Sequence, residues 1–141
     1  SRITHGHLRS QVACALYCLW ARREFAGEGF DQALRDLKPM LDASGQEELR
    51  LLTQPHVPTG SGYVLDSLHS ARSALALEAY DDVVRAANAF GNDTDTTACI
   101  AGGIAGLRVG ESGIPQRWRV VLRGRDLAQP LLDGLLEHRG L

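Results

Sequence analysis

The chain has 141 residues, 44% hydrophobic and 23% charged, with 15 glycines and 5 prolines, which excludes disordered and fibrous classes and is enough length for one domain, or part of one, to bury roughly two-thirds of its unfolded surface without disulfide or metal staples. A formal net charge of -2, from 15 basic and 17 acidic residues with no basic run, argues against a phosphate-tracking role on nucleic acid and for a small or neutral partner. Nothing approaches the ~20 apolar residues of a membrane helix, no signal-peptide pattern is present, and the three cysteines (Cys14, Cys18 and Cys99) are an odd count that points to reduced thiols and a cytoplasmic setting.

The hydrophobic periodicity is helical almost throughout, so the expected class is all-α. Leu8, Val12, Leu16 and Leu19 predict a helix over about residues 7 to 26, closed by Gly27 and Gly29 in the left-handed C-terminal position. Phe30, Leu34, Leu37 and Leu41 form a second amphipathic stripe, and Leu65, Leu68 and Leu75 a third over about 63 to 77. Asp81 is expected to N-cap a helix that turns Val83, Val84, Ala87 and Phe90 to the core and stops at Gly91. Leu127, Leu131, Leu132, Leu135 and Leu136 make a last stripe, also expected to face the core. Gln54 to Gly62 and Leu107 to Pro115 read as the main loops, and Trp118 to Leu122 is the longest segment with any strand character.

One run carries chemistry: Gly91, Asn92, Asp93, Thr94, Asp95, Thr96 and Thr97, leading into the small-residue helix Ala98 to Gly106. Two carboxylates two residues apart, with hydroxyls between and after them, converge where the chain turns into a helix. Hard oxygens alone suit Mg²⁺ or Mn²⁺ and not zinc, and the positive end of the helix helps keep both acids ionised. Asp93 and Asp95 as simple caps and turn formers is the plain alternative. One capping residue suffices for that, whereas this turn uses two acids and three threonines ahead of a helix dense enough in Ala and Gly to sit in the interior.

At GNDTDTTACIAGGIAGLRVG (Gly91 to Gly110), IPQRW (Ile114 to Trp118), SGYVLDSLHSA (Ser61 to Ala71) and SRITHGH (Ser1 to His7) the chain resembles the ADP-ribosylglycohydrolases. That resemblance implies an orthogonal multi-helix bundle and a two-Mg²⁺ centre, Mn²⁺ being an alternative ion. It implies metal ligation by Asp93, Asp95 and Thr96, with Asp95 as the bridge and the two acids as the catalytic pair. His5, after Thr4, matches a histidine that contacts ADP-ribose. Gly62, Tyr63 and Val64 match the segment lining the nucleotide pocket, with Ser61 before them in a glycine-rich loop suited to close approach. Asn92 stands where many members carry Gly; it is left out of the ligand set and expected to hydrogen-bond within the turn. The family's first half supplies further metal ligands of Thr-Asp-Asp type, a Gly-Asn-Gly stretch and an acidic residue near the scissile bond. None occurs here, so residues 1–141 are expected to be the C-terminal portion of such a domain, inactive alone and partnered by the missing N-terminal half.

The implied function is Mg²⁺-dependent hydrolysis of the glycosidic bond between ADP-ribose and a protein side chain or similar acceptor, with ADP-ribose or an ADP-ribosylated protein as partner. The alternative is a non-catalytic ADP-ribose-binding or crystallin-like structural member of the same fold, against which the retained acidic turn argues. Among other residues, a zinc reading of His5, His7, Cys14 and Cys18 is set aside because the cysteines fall in an apolar helical run and read as small buried hydrophobes. Cys99 lacks a nearby histidine base and reads as packing. His69 and His138 read as solvated helix residues, His56 as an unassigned loop residue, and Arg117, Arg119, Arg123 and Arg125 as a solvated face.

Overall fold

The computed structural model describes residues 2–139, with side chains for 2–138; Ser1 of the opening motif lies outside the described residues. Eight α-helices occur in that span: α1 Leu8–Phe25, α2 Gly29–Leu37, α3 Ala43–Leu52, α4 Val64–Ala74, α5 Tyr80–Ala89, α6 Thr94–Gly113, α7 Gln116–Arg119 and α8 Arg125–Arg139. A 3-10 turn, Lys38–Met40, follows α2, and no strand occurs among the described residues. The chain is all-α.

Helices α1 and α6 are the hubs. The first packs against α2, α3, α4 and α6, and the second against α1, α4 and α5. Val12, Leu16 and Trp20 of α1, Leu37, Leu49, Leu52, Leu68, Val83 and Ile104 meet in a single core, with Leu16, Leu52, Val83 and Ile104 fully enclosed. Each such side chain contributes on the order of 1.5–3 kcal/mol through removal from water. The small residues of α6 let neighbours come close. A Cβ on Gly103 would collide with the Tyr17 hydroxyl of α1, and one on Gly102 would lie 3.4 Å from the Tyr80 hydroxyl of α5. The expected interior position of this helix holds for Thr97, Ala101, Gly102, Ile104 and Ala105.

Several expectations need correction. Helix α5 begins one residue before Asp81: Ala79 is the extended capping position and Tyr80 the first helical residue, its ring set against α6. Asp81 sits in the first turn and pairs with Arg117 at 2.9 Å. The segment from Leu107 to Pro115 is helical as far as Gly113, with a break at Gly110 (φ 67°, ψ 178°), a backbone state open to glycine. Trp118 lies in the short α7, its ring edge-on to Tyr80. Helix α3 has no counterpart among the predicted elements, although Asp42 caps it by accepting from the Gly45 amide at 2.8 Å. The leucine stripe of α8 does not face the core, since Leu127, Leu131, Leu132, Leu135 and Leu136 are 48–76% exposed. Cys14 and Cys18 are exposed because they fall on the side of α1 opposite Val12, Leu16 and Trp20, and Cys99 is exposed on α6. His69 is half-buried and bonded to the Leu52 carbonyl at 2.9 Å.

No described helix is long and apolar enough to cross a membrane.

Candidate functional site

The acidic turn is built where α5 ends. Gly91 adopts φ 80°, Asn92 and Asp93 follow, and α6 starts at Thr94 with Asp95 exposed in its first turn. Free amides and the helix dipole at this end favour negative charge. The Thr96 hydroxyl, and after it the Asp95 side chain, lower the Asp93 carboxyl below its ordinary value. Asn92 does not bond within the turn as expected. Its Nδ2 donates across to the Thr59 carbonyl at 2.8 Å, and the Asp93 amide donates to the Gly60 carbonyl at 2.7 Å. The loop before α4 thus holds the turn by its backbone. Gly60 (φ 74°) has no room for a Cβ because Phe90 fills it, and a Cβ on Gly62 would strike Asp93 Oδ2.

That loop is itself organised by Asp66, a residue of α4 that nothing in the sequence singles out. Its carboxylate is buried and receives His56 Nε2 at 2.6 Å, the Thr59 amide at 2.9 Å, the Thr59 hydroxyl at 3.0 Å and the Ser61 amide. Burial pushes this carboxyl up, and the hydrogen bonds from His56 and from the Thr59 and Ser61 amides outweigh it, leaving its pKa below the ordinary carboxylate value. Ser61 therefore serves the loop through its amide. His56, unassigned from sequence, is the side-chain partner of Asp66.

Beside the turn lies a cavity of about 480 Å³ between α1, the loop and the start of α6. Of the residues expected to bind substrate, His5, Gly62, Tyr63 and Val64 line it, and Thr96 brings the acidic turn to its wall; Ser61, Asp93 and Asp95 do not line it. His5 is exposed and its Nδ1 meets the Thr4 hydroxyl at 3.0 Å. Tyr63 is 53% exposed, immediately ahead of α4. Arg9, which sequence reading passes over, also lines the cavity, donating to the Tyr63 hydroxyl and to Glu48 Oε2 at 2.6 Å. The wall groups able to carry positive charge are Arg9, His5 and His7, and among the described residues no carboxylate lines the cavity. An aromatic ring, a bare glycine backbone and a guanidinium around a cleft of this size can receive an aromatic, anionic ligand.

Two carboxylates and the Thr96 hydroxyl in one turn have the hard-oxygen chemistry of an Mg²⁺ or Mn²⁺ site. Among the described residues no three His, Cys, Asp or Glu side chains gather to hold an ion, so the turn fits part of a coordination shell. Thr97, next along, turns inward instead, and its hydroxyl is buried without a hydrogen-bond partner.

The chain is 31% identical over 126 residues to ADP-ribosylarginine hydrolase Tri1 of Pseudomonas putida, covering 84% of this chain and 33% of that protein. It is 51% identical over 49 residues to ADP-ribosylhydrolase ARH3 of Danio rerio, covering 35% of this chain and 13% of the relative. It also shares 32% identity over 109 residues with a protein named histidinol-phosphate aminotransferase from Halorubrum lacusprofundi, covering 67% of this chain and 30% of that one. The chain thus spans about a third or less of the curated relatives it matches. No solved structure matches it. The family model for ADP-ribosylglycohydrolase matches residues 1–141, and the chain belongs to that family.

Proposed function

We propose that this chain is the C-terminal portion of a domain that hydrolyses the glycosidic bond between ADP-ribose and a protein side chain or similar acceptor. The observation that carries the reading is the apposition of the acidic turn and the cavity: Thr96 belongs to both, and Gly62 of the cavity wall lies against Asp93. Asp93, Asp95 and Thr96 hold Mg²⁺, or Mn²⁺ in its place, with the rest of the shell supplied by the preceding half of the domain. The metal, when bound, contributes orientation of the ribose hydroxyls and stabilisation of charge as the bond breaks.

The chain's own residues bind and orient. Tyr63 offers a face for the nucleotide base and Gly62 lets backbone approach it. Arg9, ion-paired with Glu48, fixes the Tyr63 hydroxyl at the wall that His5 also lines. Water replaces the acceptor at the anomeric carbon, and the acid or base that moves its proton comes from the other half.

The test is Asp95→Ala in the intact protein. Asp95 is exposed, so the helical circular-dichroism spectrum is expected to survive while release of ADP-ribose is abolished. Unchanged turnover at saturating Mg²⁺ would remove the metal assignment. Absence of turnover in the unaltered intact protein, with ADP-ribose still bound, would favour the non-catalytic reading.

A further inference from the structure

We infer that Asp66 is a positioning residue for the acidic turn, acting through the loop of residues 59–62; its relevance to metal binding rests on the function proposed above, its geometry does not. A buried carboxylate in a helix is costly unless its oxygens are satisfied, and the loop satisfies most of what Asp66 needs. His56, Thr59 by both amide and hydroxyl, and Ser61 all donate to it from the loop side. Ser70, one helical turn on, donates to Oδ2 at 3.4 Å and accepts the Gly60 amide at 3.0 Å. Every amide from Thr59 to Ser61 is therefore anchored to α4.

Two carbonyls of the same three-residue stretch do the second half of the work. Thr59 and Gly60 accept the Asn92 side chain and the Asp93 amide. The loop is a spacer with its amides and the Ser61 carbonyl fixed to α4 and the Thr59 and Gly60 carbonyls fixed to the turn, and Gly62 closes it against the Asp93 carboxylate. In Asp66→Asn one of the two acceptor oxygens becomes an NH₂ donor facing the converging donors, so part of the loop loses its acceptor and has to move to find a new one. Asp93 moves with it. Partners of this kind outside the ligand sphere orient ligands and change metal affinity without touching the ion.

The experiment is backbone amide hydrogen exchange on the 141-residue chain with Asp66→Asn, read at Asp93 relative to the core amides of Ala101 and Ile104 in the same helix. The expected result is exchange at Asp93 faster by about tenfold or more, the scale of one unsatisfied buried polar group, with the Ala101 and Ile104 amides keeping their protection. A general loss of stability would accelerate all of them together, and that pattern, or unchanged exchange at Asp93, overturns the inference. Thr59→Val, which removes one donor from the exposed loop side, is expected to give the same sign with a smaller effect, and it decides the matter if Asp66→Asn does not fold. A Mn²⁺ titration, followed by broadening of the Asp95 and Thr96 amide signals, separates this inference from the proposed function. Asp66→Asn is expected to raise the Mn²⁺ midpoint about tenfold and Asp95→Ala to abolish the broadening. Broadening indifferent to Asp95→Ala would sink the metal reading while the exchange ratio still judges Asp66.

Discussion

Gly62 and Asp93 stand in direct apposition: the space in which a Cβ of residue 62 would sit is filled by the Asp93 Oδ2 atom. Glycine is needed at 62 for room, and its backbone is not in the left-handed region. The obstructing atom is the end of a side chain, so Gly62→Ala is expected to be relieved by swinging the Asp93 carboxylate away. In the intact protein that predicts Mg²⁺ affinity weakened by about tenfold with a melting temperature close to that of the parent. A large fall in melting temperature with unchanged Mg²⁺ affinity would show that the contact serves packing alone.

Tyr63 is expected to contribute to ligand affinity and little to stability, because it is more than half exposed and lines the cavity. Tyr63→Ala in the intact protein is expected to lose roughly 1–3 kcal/mol of ADP-ribose binding, by analogy with base–aromatic stacking. KM rises and kcat holds, since a stacking ring acts alike on ground and transition states. Tyr63→Phe keeps the ring and removes only the acceptor for Arg9, so its loss is smaller. Calorimetric Kd and melting temperature on one preparation decide: a stability loss with unchanged Kd takes Tyr63 out of the site.

The buried Asp66 makes stability depend on acidity. Its folded pKa lies below the unfolded value of about 3.9, the loop hydrogen bonds overcoming the cost of burial. Its contribution is therefore fully present above about pH 5 and is lost as pH falls through 4 toward the folded pKa. The melting-temperature gap between the parent chain and Asp66→Asn is expected to narrow over that range. A gap constant down to about pH 2 would mean that the carboxylate charge is not what the loop requires.

The leucines of α8 are expected to be dispensable for folding of this chain. Leu131 and Leu135 are 76% and 56% exposed, so replacing both by glutamate is expected to change stability by no more than about 0.5 kcal/mol per site. A cooperative drop in melting temperature would show that the helix packs in solution on a face left open here.

What the sequence determined by itself was mostly local. The spacing of Val12, Leu16 and Leu19, or of Phe30, Leu34 and Leu37, specifies a helix because side-chain direction repeats with the backbone's own period. Gly27 follows α1 and Gly91 follows α5 because a left-handed turn there suits glycine; Gly29, also at positive φ, opens α2 and does not close α1 as expected. The acidic turn was legible as a run of two acids and three threonines at consecutive positions; that Thr97 turns inward and that the loop before α4 holds the turn was not. Tertiary structure decided everything that depends on a partner. Periodicity describes the stripes of α2 and α8 in the same terms, yet only the first has a helix laid against it. The exposure of Cys14 and Cys18 follows from which side of α1 meets the core, a choice that apolar composition does not encode. Asp66 looks like any helical aspartate until the loop 56–61 folds back over it, because the bonds from His56, Thr59 and Ser61 all start from groups outside its own helix that sequence does not orient. Hydrogen bonds between segments depend on where backbones are brought, and that is set by the burial of the core as a whole, not by the residues that make the bond.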